Sequence, residues 1–454
     1  MGGSGFVGQA LSHVLKDRGE EVVVFDVNPP PHKVLDSLHA YVKGDVTDLD
    51  DLVAFLENYG PEIVIHLASW GMSGWPMLSK RCEQINIGGV EALIEAMRQT
   101  DTEALIYTST YNVVYGGEEI AGGDESLPYY PVEQHSDIYS ASKAIAEQMA
   151  LAENSPNLRV LSLRPAAIYG DGEERHFPRI IKHIDSGVFA FRIGSESIVD
   201  WVHVDNLTSA YICAIDKLAG QFNFRQSPCG QSFFISDGTP IDNFEFLNPI
   251  VKARGAEVPK LVVPVVLALA VAWVCELGWR LFGIEPFLTR AEVLKVGRTH
   301  YFSIDKARRE LGYDPSITSE EGASFMARTH LLERDVSAPN YFRLASWKVW
   351  LGVNLGMAGL YFAAYHDASS HGLVMTQVHR LGLFLFQSQA NLQLLFQVAV
   401  GIHALEAVYS FALTASLGVA TPLRLLWAVQ TFFLGYGALN MLLARQKAIS
   451  KRRF

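Results

Sequence analysis

Tyr139 and Lys143, four residues apart in Tyr139-Ser140-Ala141-Ser142-Lys143, would put a phenol and an ammonium on one face of a helix. Such an ammonium stabilises tyrosinate, so Tyr139 could exchange a proton with an alcohol or carbonyl while a nicotinamide takes or gives hydride. Tyr107-Thr108-Ser109-Thr110, about 30 residues upstream, closes an apolar run and offers hydroxyls to polarise the same oxygen. A Y-x-x-x-K spacing is common by chance, so its weight depends on the elements around it.

The chain opens Met1-Gly2-Gly3-Ser4-Gly5-Phe6-Val7-Gly8, a G-x-x-G-x-x-G spacing that runs into a helix expected to start near Val7. Gly2, Gly5 and Gly8 would make a tight turn, let the backbone reach a pyrophosphate and allow close helix packing, with the amides of Phe6 and Val7 at the helix start. Asp26 ends the run Glu21 to Phe25, where an acid binds ribose hydroxyls and repels a 2'-phosphate, so NAD is expected rather than NADP. Asp45 and Val46, in Gly44-Asp45-Val46-Thr47-Asp48, fit the adenine end. Leu67 and Ala68 would lie flush against the cofactor. Asp45 could instead cap a helix, a role that suits Asp48 better. His66, inside the apolar run Ile65-His66-Leu67-Ala68, reads as structural.

Short apolar runs (Glu21 to Asp26, Ile63 to Ala68, Ala104 to Thr108, Arg159 to Arg164) alternate with amphipathic stretches (Gly8 to Arg18, Asp48 to Tyr59, Asn86 to Arg98, Tyr139 to Glu153). The alternation predicts an α/β fold with a doubly wound parallel sheet over residues 1–215. Such a sheet needs a central strand immediately before the glycine turn, and none precedes Gly2. The expectation is therefore a sheet lacking its first strand, from an N-terminally truncated isoform whose longer form carries an apolar strand upstream. Neighbouring ladder groups would be left unpaired and the cofactor would bind poorly, so a chain extended upstream should bind NAD more tightly. Residues 216–335 loosen into loops rich in Gly, Pro and aromatics, which suits a small substrate lobe.

The 454 residues carry 37 Lys+Arg against 48 Asp+Glu, a net charge of −11, which argues against nucleic-acid binding. Only 19% are charged and 49% are hydrophobic, so part of the chain is expected to meet lipid. From Val336 onward nine Lys/Arg face two acids, a net +7, and residues 1–335 carry −18. Four dispersed cysteines suggest neither a zinc site nor a disulfide framework, and no metal is expected. The glycine-rich opening does not read as a secretory leader. Leu261 to Cys275 is uncharged but short for a span; an interfacial helix over 261–282 is the first expectation, with a span or a buried core helix as alternatives. Residues 340–454 form an all-α transmembrane domain in this reading, with helices over Trp347 to Tyr365, about Leu394 to Leu417 and about Leu423 to Ala444. Three spans would set the basic tail Arg445 to Phe454 opposite the catalytic domain, against the positive-inside rule, unless 261–282 or 381–390 also crosses. His403 and Glu406 share one face of the second helix and read as an interhelical polar pair.

The glycine turn, the Tyr107 to Thr110 strand end, Y-x-x-x-K and Arg164-Pro165-Ala166-Ala167-Ile168-Tyr169-Gly170 together resemble an extended short-chain dehydrogenase/reductase with a Rossmann domain. Tyr107 to Val114, Gly123 to Pro128, Trp201 to Leu207 and Phe234 to Gly238 resemble the 3-beta-hydroxysteroid dehydrogenase group, nearest its family 42E branch. The resemblance covers residues 2–330. It implies Tyr139 as proton donor or acceptor and Lys143 as the group that lowers the tyrosine pKa and bonds the nicotinamide ribose. Thr110 is the better oxygen-polarising hydroxyl and Ser109 the alternative. Pro165 and Ala166 follow the cofactor, while His203 and Asp205 are structural. The stretch from Trp347 resembles transmembrane protein 254.

The function expected is oxidation of a 3-beta-hydroxyl on a steroid or sterol by NAD in a membrane-bound enzyme. The 261–282 segment would guide substrate laterally from the bilayer. A multi-pass protein of the endoplasmic reticulum with its catalytic domain facing the cytosol, and a homodimer as candidate assembly, complete the expectation. The alternatives are decarboxylation of a 4-carboxysterol, which would release carbon dioxide, and a catalytically inactive scaffold or nucleotide sensor.

Overall fold

The computed structural model describes residues 1–454 other than 101, 186–188, 190, 220–227, 255, 284, 330–344, 346, 367–372 and 452–454. The chain divides into two compact units. The first comprises Met1–Phe177, Phe191–Pro249 and Lys260–Thr329; the second comprises Pro178–Ala190, Ile250–Pro259 and His330–Phe454.

In the first unit β1 (Val23–Asp26) pairs in parallel with β2 (Ala40–Lys43). A four-stranded sheet runs β6 (Ser232–Ile235), β5 (Arg159–Pro165), β4 (Ala104–Thr108), β3 (Val64–His66), with every pair parallel. Parallel strands need crossovers, and the amphipathic stretches supply them: α1 (Phe6–Asp17), α2 (Leu49–Tyr59), α3 (Gly88–Gln99), α4 (Ile138–Ala152) and α5 (Val204–Ala219). Alternation along β4 sorts the two faces. Ile106 joins the core formed with Leu11, Leu15, Leu207 and Tyr211, while Leu105 and Tyr107 join Leu52, Leu93, Ala146 and Ala150. A core on each face of the sheet is the doubly wound architecture that the sequence pattern predicts.

Met1 and Gly2 lie between β1 and β3. The Met1 amino group donates to Ile65 O at 2.9 Å, Leu67 N donates to Met1 O at 2.9 Å, and Gly2 N donates to Phe25 O at 2.9 Å. These bonds join the two sheets at the end where the glycine turn begins. Val24, Phe25 and Val64 remain buried, while Val22, Val23, Ile63 and Ile65 are half-buried.

The lobe beside this sheet draws on more of the chain than residues 216–335. Its four-stranded sheet combines Ile241–Asp242 and His300–Phe302 with Ile198–Val199 and Ile120–Gly123. Two helices complete it, α6 (Val265–Phe282) and α7 (Arg290–Gly297). On α6 only Ala268, Ala272 and Glu276, a stripe at four-residue spacing, are buried. Glu276 accepts from Arg290 N at 2.7 Å and Arg290 Nε at 2.8 Å, and Ala268 and Ala272 pack with Ile193 and Val293. Much of the opposite face of α6 is apolar yet exposed, Val266 and Phe282 each to 75%.

The second unit contains α8 (Trp347–Tyr365), α9 (Leu373–Phe386), α10 (Gln389–Ser416), α11 (Thr421–Leu434) and α12 (Tyr436–Lys451). The apolar stretch expected as one helix over 423–444 is two helices meeting at Gly435, whose φ of +59° lies in the left-handed region. A Cβ there would lie 2.6 Å from His403 Nε2, so glycine is required by space as well as by φ. α9 takes in most of the 381–390 segment. By length and apolar composition α6 and α10 are long enough to cross a bilayer, α10 reaching about 42 Å at 1.5 Å per residue.

Candidate active site

The glycine turn is shaped by contacts that only glycine permits. Gly2 has φ +76°, and a Cβ on it would fall 2.5 Å from Ala68 N; a Cβ on Gly8 would fall 2.5 Å from Gly3 Cα and Gly3 O. Gly5 is the N-cap of α1, without a side-chain cap and without an acid in the first turn. The amide end of the helix, at Phe6 and Val7, therefore carries no competing anion of its own. Asp26 closes β1 against this turn, accepting from Ser4 N (3.0 Å) on one oxygen and Asn28 N (3.0 Å) on the other. Gly2, Gly5, Gly8, Asp26, Leu67 and Ala68 are thus brought together at one end of the sheet. A pyrophosphate and a ribose diol fit what these residues offer: free amides, a close backbone and a fixed carboxylate.

Asp45 follows β2, exposed, and accepts from Thr47 N and Thr47 Oγ1, each at 2.9 Å. Asp48, not Asp45, is the helix cap, accepting from Asp50 N and Asp51 N. Val46 is buried with Phe25, Leu52 and Val90. Pro165 ends β5 in register with Ile235, and Ala166 N donates to Ile235 O at 2.9 Å. Replacement of Asp26 by Ala should weaken NADH binding about tenfold, by loss of charge-assisted hydrogen bonds of about 1.5 kcal/mol, and erode discrimination against NADPH. Fluorescence titration with both nucleotides reads this; unchanged discrimination would remove Asp26 from the ribose.

Asp137 caps α4, accepting from Ser140 N (2.8 Å) and Ser140 Oγ (3.0 Å), and so fixes where the helix presents Tyr139 and Lys143. Tyr139 is buried in an apolar cluster with Met77, Cys82 and Ala291, against which Trp70, Met72 and Ile138 pack. Burial, then the nearby Asp137 charge, push its phenol up, with Ser69 opposing. Lys143 is also buried, which pushes its ammonium down to about 7 against the attraction of Glu147. Its Nζ donates to Thr108 O at 2.6 Å and lies 4.2 Å from the centroid of the Tyr107 ring.

Ser109 and Thr110 are both buried. Thr110 Oγ1 accepts from Asn112 N (3.3 Å) and Asn112 Nδ2 (2.9 Å), capping the short turn Tyr111–Val114, while the Ser109 hydroxyl has no partner. A hydroxyl that accepts twice keeps its proton for a donor bond, which suits Thr110 to an oxygen-polarising role.

The sequence reading missed Asn86. It sits inside the π-helical turn Glu83–Ile87 that leads into α3, a distortion frequent at functional sites. Its side chain accepts from Trp70 N (2.8 Å) and Ser69 Oγ (3.3 Å) and donates to Trp70 O (3.0 Å) and Ser142 Oγ (2.9 Å). One amide thus ties the loop after β3 to the helix of Tyr139 and Lys143. A polar residue within Ile85-Asn86-Ile87, on a face that buries, was the available signal. A second omission is the buried pair Glu147–Arg164 (2.8 Å), with Ser162 also bound to Glu147. His203 and Asp205 stand apart from the phenol: His203 Nδ1 accepts from Asp205 N and its ring packs against Tyr169.

Residues 1–265 match the 3-beta hydroxysteroid dehydrogenase/isomerase family, and residues 348–444 match transmembrane protein 254. Short-chain dehydrogenase/reductase family 42E member 1 of Danio rerio is 42% identical over 352 residues, 74% of this chain and 90% of that protein. The 3 beta-hydroxysteroid dehydrogenase/Delta 5-->4-isomerase of Mycobacterium tuberculosis is 35% identical over 335 residues, covering 70% and 86%. Among solved structures, gox2253 superposes with a TM-score of 0.56 at 24% identity over 73% of this chain and 98% of its own. The dTDP-glucose 4,6-dehydratase of Bacillus anthracis, solved in complex with NAD, gives 0.54 at 19% over 72% and 94%. The chain belongs to the 3-beta hydroxysteroid dehydrogenase/isomerase family, NAD-dependent oxidoreductases of the short-chain dehydrogenase/reductase type with a Rossmann fold.

Proposed function

We propose that this protein oxidises the 3-beta-hydroxyl of a steroid or sterol with NAD while held at a membrane. The observation that carries the substrate class is the lining beside the phenol: Met77, Cys82 and Ala291, with Trp70, Met72 and Ile138, form an apolar wall suited to a fused-ring alcohol. Gly2, Gly5 and Gly8, with the Phe6 and Val7 amides, hold the pyrophosphate of NAD; Asp26 holds the ribose. Asp45 and Val46 flank the adenine, and Leu67, Ala68 and Pro165 line the nicotinamide side. Bound NAD supplies the hydride acceptor. Tyr139, whose phenol burial holds neutral without cofactor, would take the hydroxyl proton once Lys143 stabilises its tyrosinate form, and Thr110 would polarise the substrate oxygen, with Ser109 beside it. Lys143 stabilises the tyrosinate and bonds the nicotinamide ribose. With NAD held there to accept the C–H hydride, Tyr139 would take the O–H proton, so that the alcohol would leave as a ketone with NADH and one proton.

The exposed apolar face of α6 supports an interfacial helix. Its inner stripe is bound to α7 through Glu276 and Arg290, so the helix lies along the protein with its outer face toward lipid. Residues 340–454 anchor the protein as a multi-pass domain, in the endoplasmic reticulum with the catalytic unit in the cytosol.

NADH formation by the detergent-solubilised full chain on a panel of 3-beta-hydroxysteroids tests this reading. Turnover is expected on a neutral 3-beta-alcohol without release of carbon dioxide. Carbon dioxide release from a 4-carboxysterol alone would replace the substrate, and silence across the panel with intact NADH binding would favour a nucleotide sensor.

A further inference from the structure

Tyr107 of β4 is fully buried and stands in register with His66 of β3. The two rings stack at 5.9 Å with planes 14° apart. The Tyr107 hydroxyl has no hydrogen-bond partner, and neither has either ring nitrogen of His66, which is itself 1% exposed. The two side chains thus meet each other through their ring faces. The Lys143 ammonium lies 4.2 Å from the centre of the Tyr107 ring, within the range of a cation–π contact.

The charges around Lys143 leave that contact important. Glu147, one turn further along α4, attracts the ammonium but is bound by Arg164 Nε and Nη2 from β5 and by Ser162 Oγ. His66 is held neutral by burial, then by the positive charges of Lys143 and the Met1 amino group, which face it. Tyr139, on the same helix, is pushed toward its neutral form. The direct partners of the ammonium are therefore the Thr108 carbonyl, at 2.6 Å, and the face of the Tyr107 ring.

We propose that Tyr107 is a positioning residue for Lys143: its ring face holds the ammonium where it serves Tyr139 and the nicotinamide ribose, His66 fixes the ring plane, and the Tyr107 hydroxyl is dispensable. This rests on the role given to Lys143 above. The π face, not the polar group, carries the effect. Phe should therefore substitute fully and Leu should not.

The test compares Tyr107→Phe and Tyr107→Leu in the full chain, with Tyr107→Met as a second aliphatic variant should the first misfold. Thermal unfolding without cofactor is followed from pH 6 to 9. Lys143 has its folded pKa lowered to about 7 from 10.5, so its charged form is disfavoured in the folded state and stability rises with pH above about 7. Loss of the ring face lowers that pKa further, by about one unit for a desolvated cation–π contact. The stability gap between the Phe and Leu variants should therefore widen as pH falls from 9 to 6, and vanish as a function of pH in a Lys143→Met background. The midpoint of the pH dependence of NADH affinity should move about one unit toward acid in Tyr107→Leu and stay at the wild-type position in Tyr107→Phe. A gap independent of pH, or superimposable NADH profiles, would reduce Tyr107 to packing and overturn the proposal. Neither readout needs turnover, so failure of the steroid reading would show in the substrate panel alone.

Discussion

Tyr139→Phe should lower turnover by about 10³-fold, within the range for loss of a positioned proton-transfer group, while NADH affinity stays within about threefold. The phenol sits among Met77, Cys82 and Ala291, a site a phenyl ring can fill, so the substitution removes a proton acceptor without opening a cavity. The fold should survive, because Asp137 caps α4 through Ser140 and Ser142 bonds Asn86, neither through the phenol. Single-turnover NADH formation and nucleotide titration separate chemistry from binding. Full activity in the Phe protein would mean another group takes the proton. Lost NADH binding would mean that the variant had disturbed the site.

Gly8→Ala should weaken NADH binding by tenfold or more and lower the unfolding midpoint, although alanine is intrinsically the better helix former by up to about 1 kcal/mol. The reason is contact: the added Cβ would lie 2.5 Å from Gly3 Cα and Gly3 O, which are backbone atoms and cannot turn aside. α1 must then move away from the turn, and with it the helix end that faces the pyrophosphate. Overpacking of this kind costs about 1–3 kcal/mol. Gly278→Ala, on α6 where a Cβ meets nothing within 4 Å, is the matched control and should bind NADH as the parent does. Unchanged affinity in Gly8→Ala would separate the glycine turn from the cofactor.

The two predictions rest on parts of the molecule that were not equally readable from sequence. The strands and crossover helices were legible because each announces a face: Ala104 to Thr108 is an unbroken apolar run, and α2 carries Asp48 at its cap and glycine at Gly60 after its end. The Tyr139–Lys143 spacing fixed a shared helix face, but not that Lys143 would turn to Thr108 and the Tyr107 ring. That depends on β4 packing beneath α4, a tertiary contact no local pattern encodes. Asn86 was invisible for a similar reason, since its four hydrogen bonds span Ser69, Trp70 and Ser142. In the second unit, hydropathy registers apolar length but not the backbone break at Gly435, which is set by one left-handed residue opposite His403. The smaller four-stranded sheet was not legible because its strands come from segments far apart in the chain, including Ile120–Gly123.

Hydride is expected to leave a 3-beta-alcohol for NAD under the control of Tyr139. Incubation of the full chain with NAD and a 3-beta-hydroxysteroid deuterated at carbon 3, followed by mass analysis of the nucleotide, tests it most directly. One deuterium is expected in the reduced nicotinamide, with a 3-ketone in equal amount, and neither from Tyr139→Phe on the same time scale. A ketone formed without deuterium in the nucleotide, or equal transfer by the Phe protein, would contradict it.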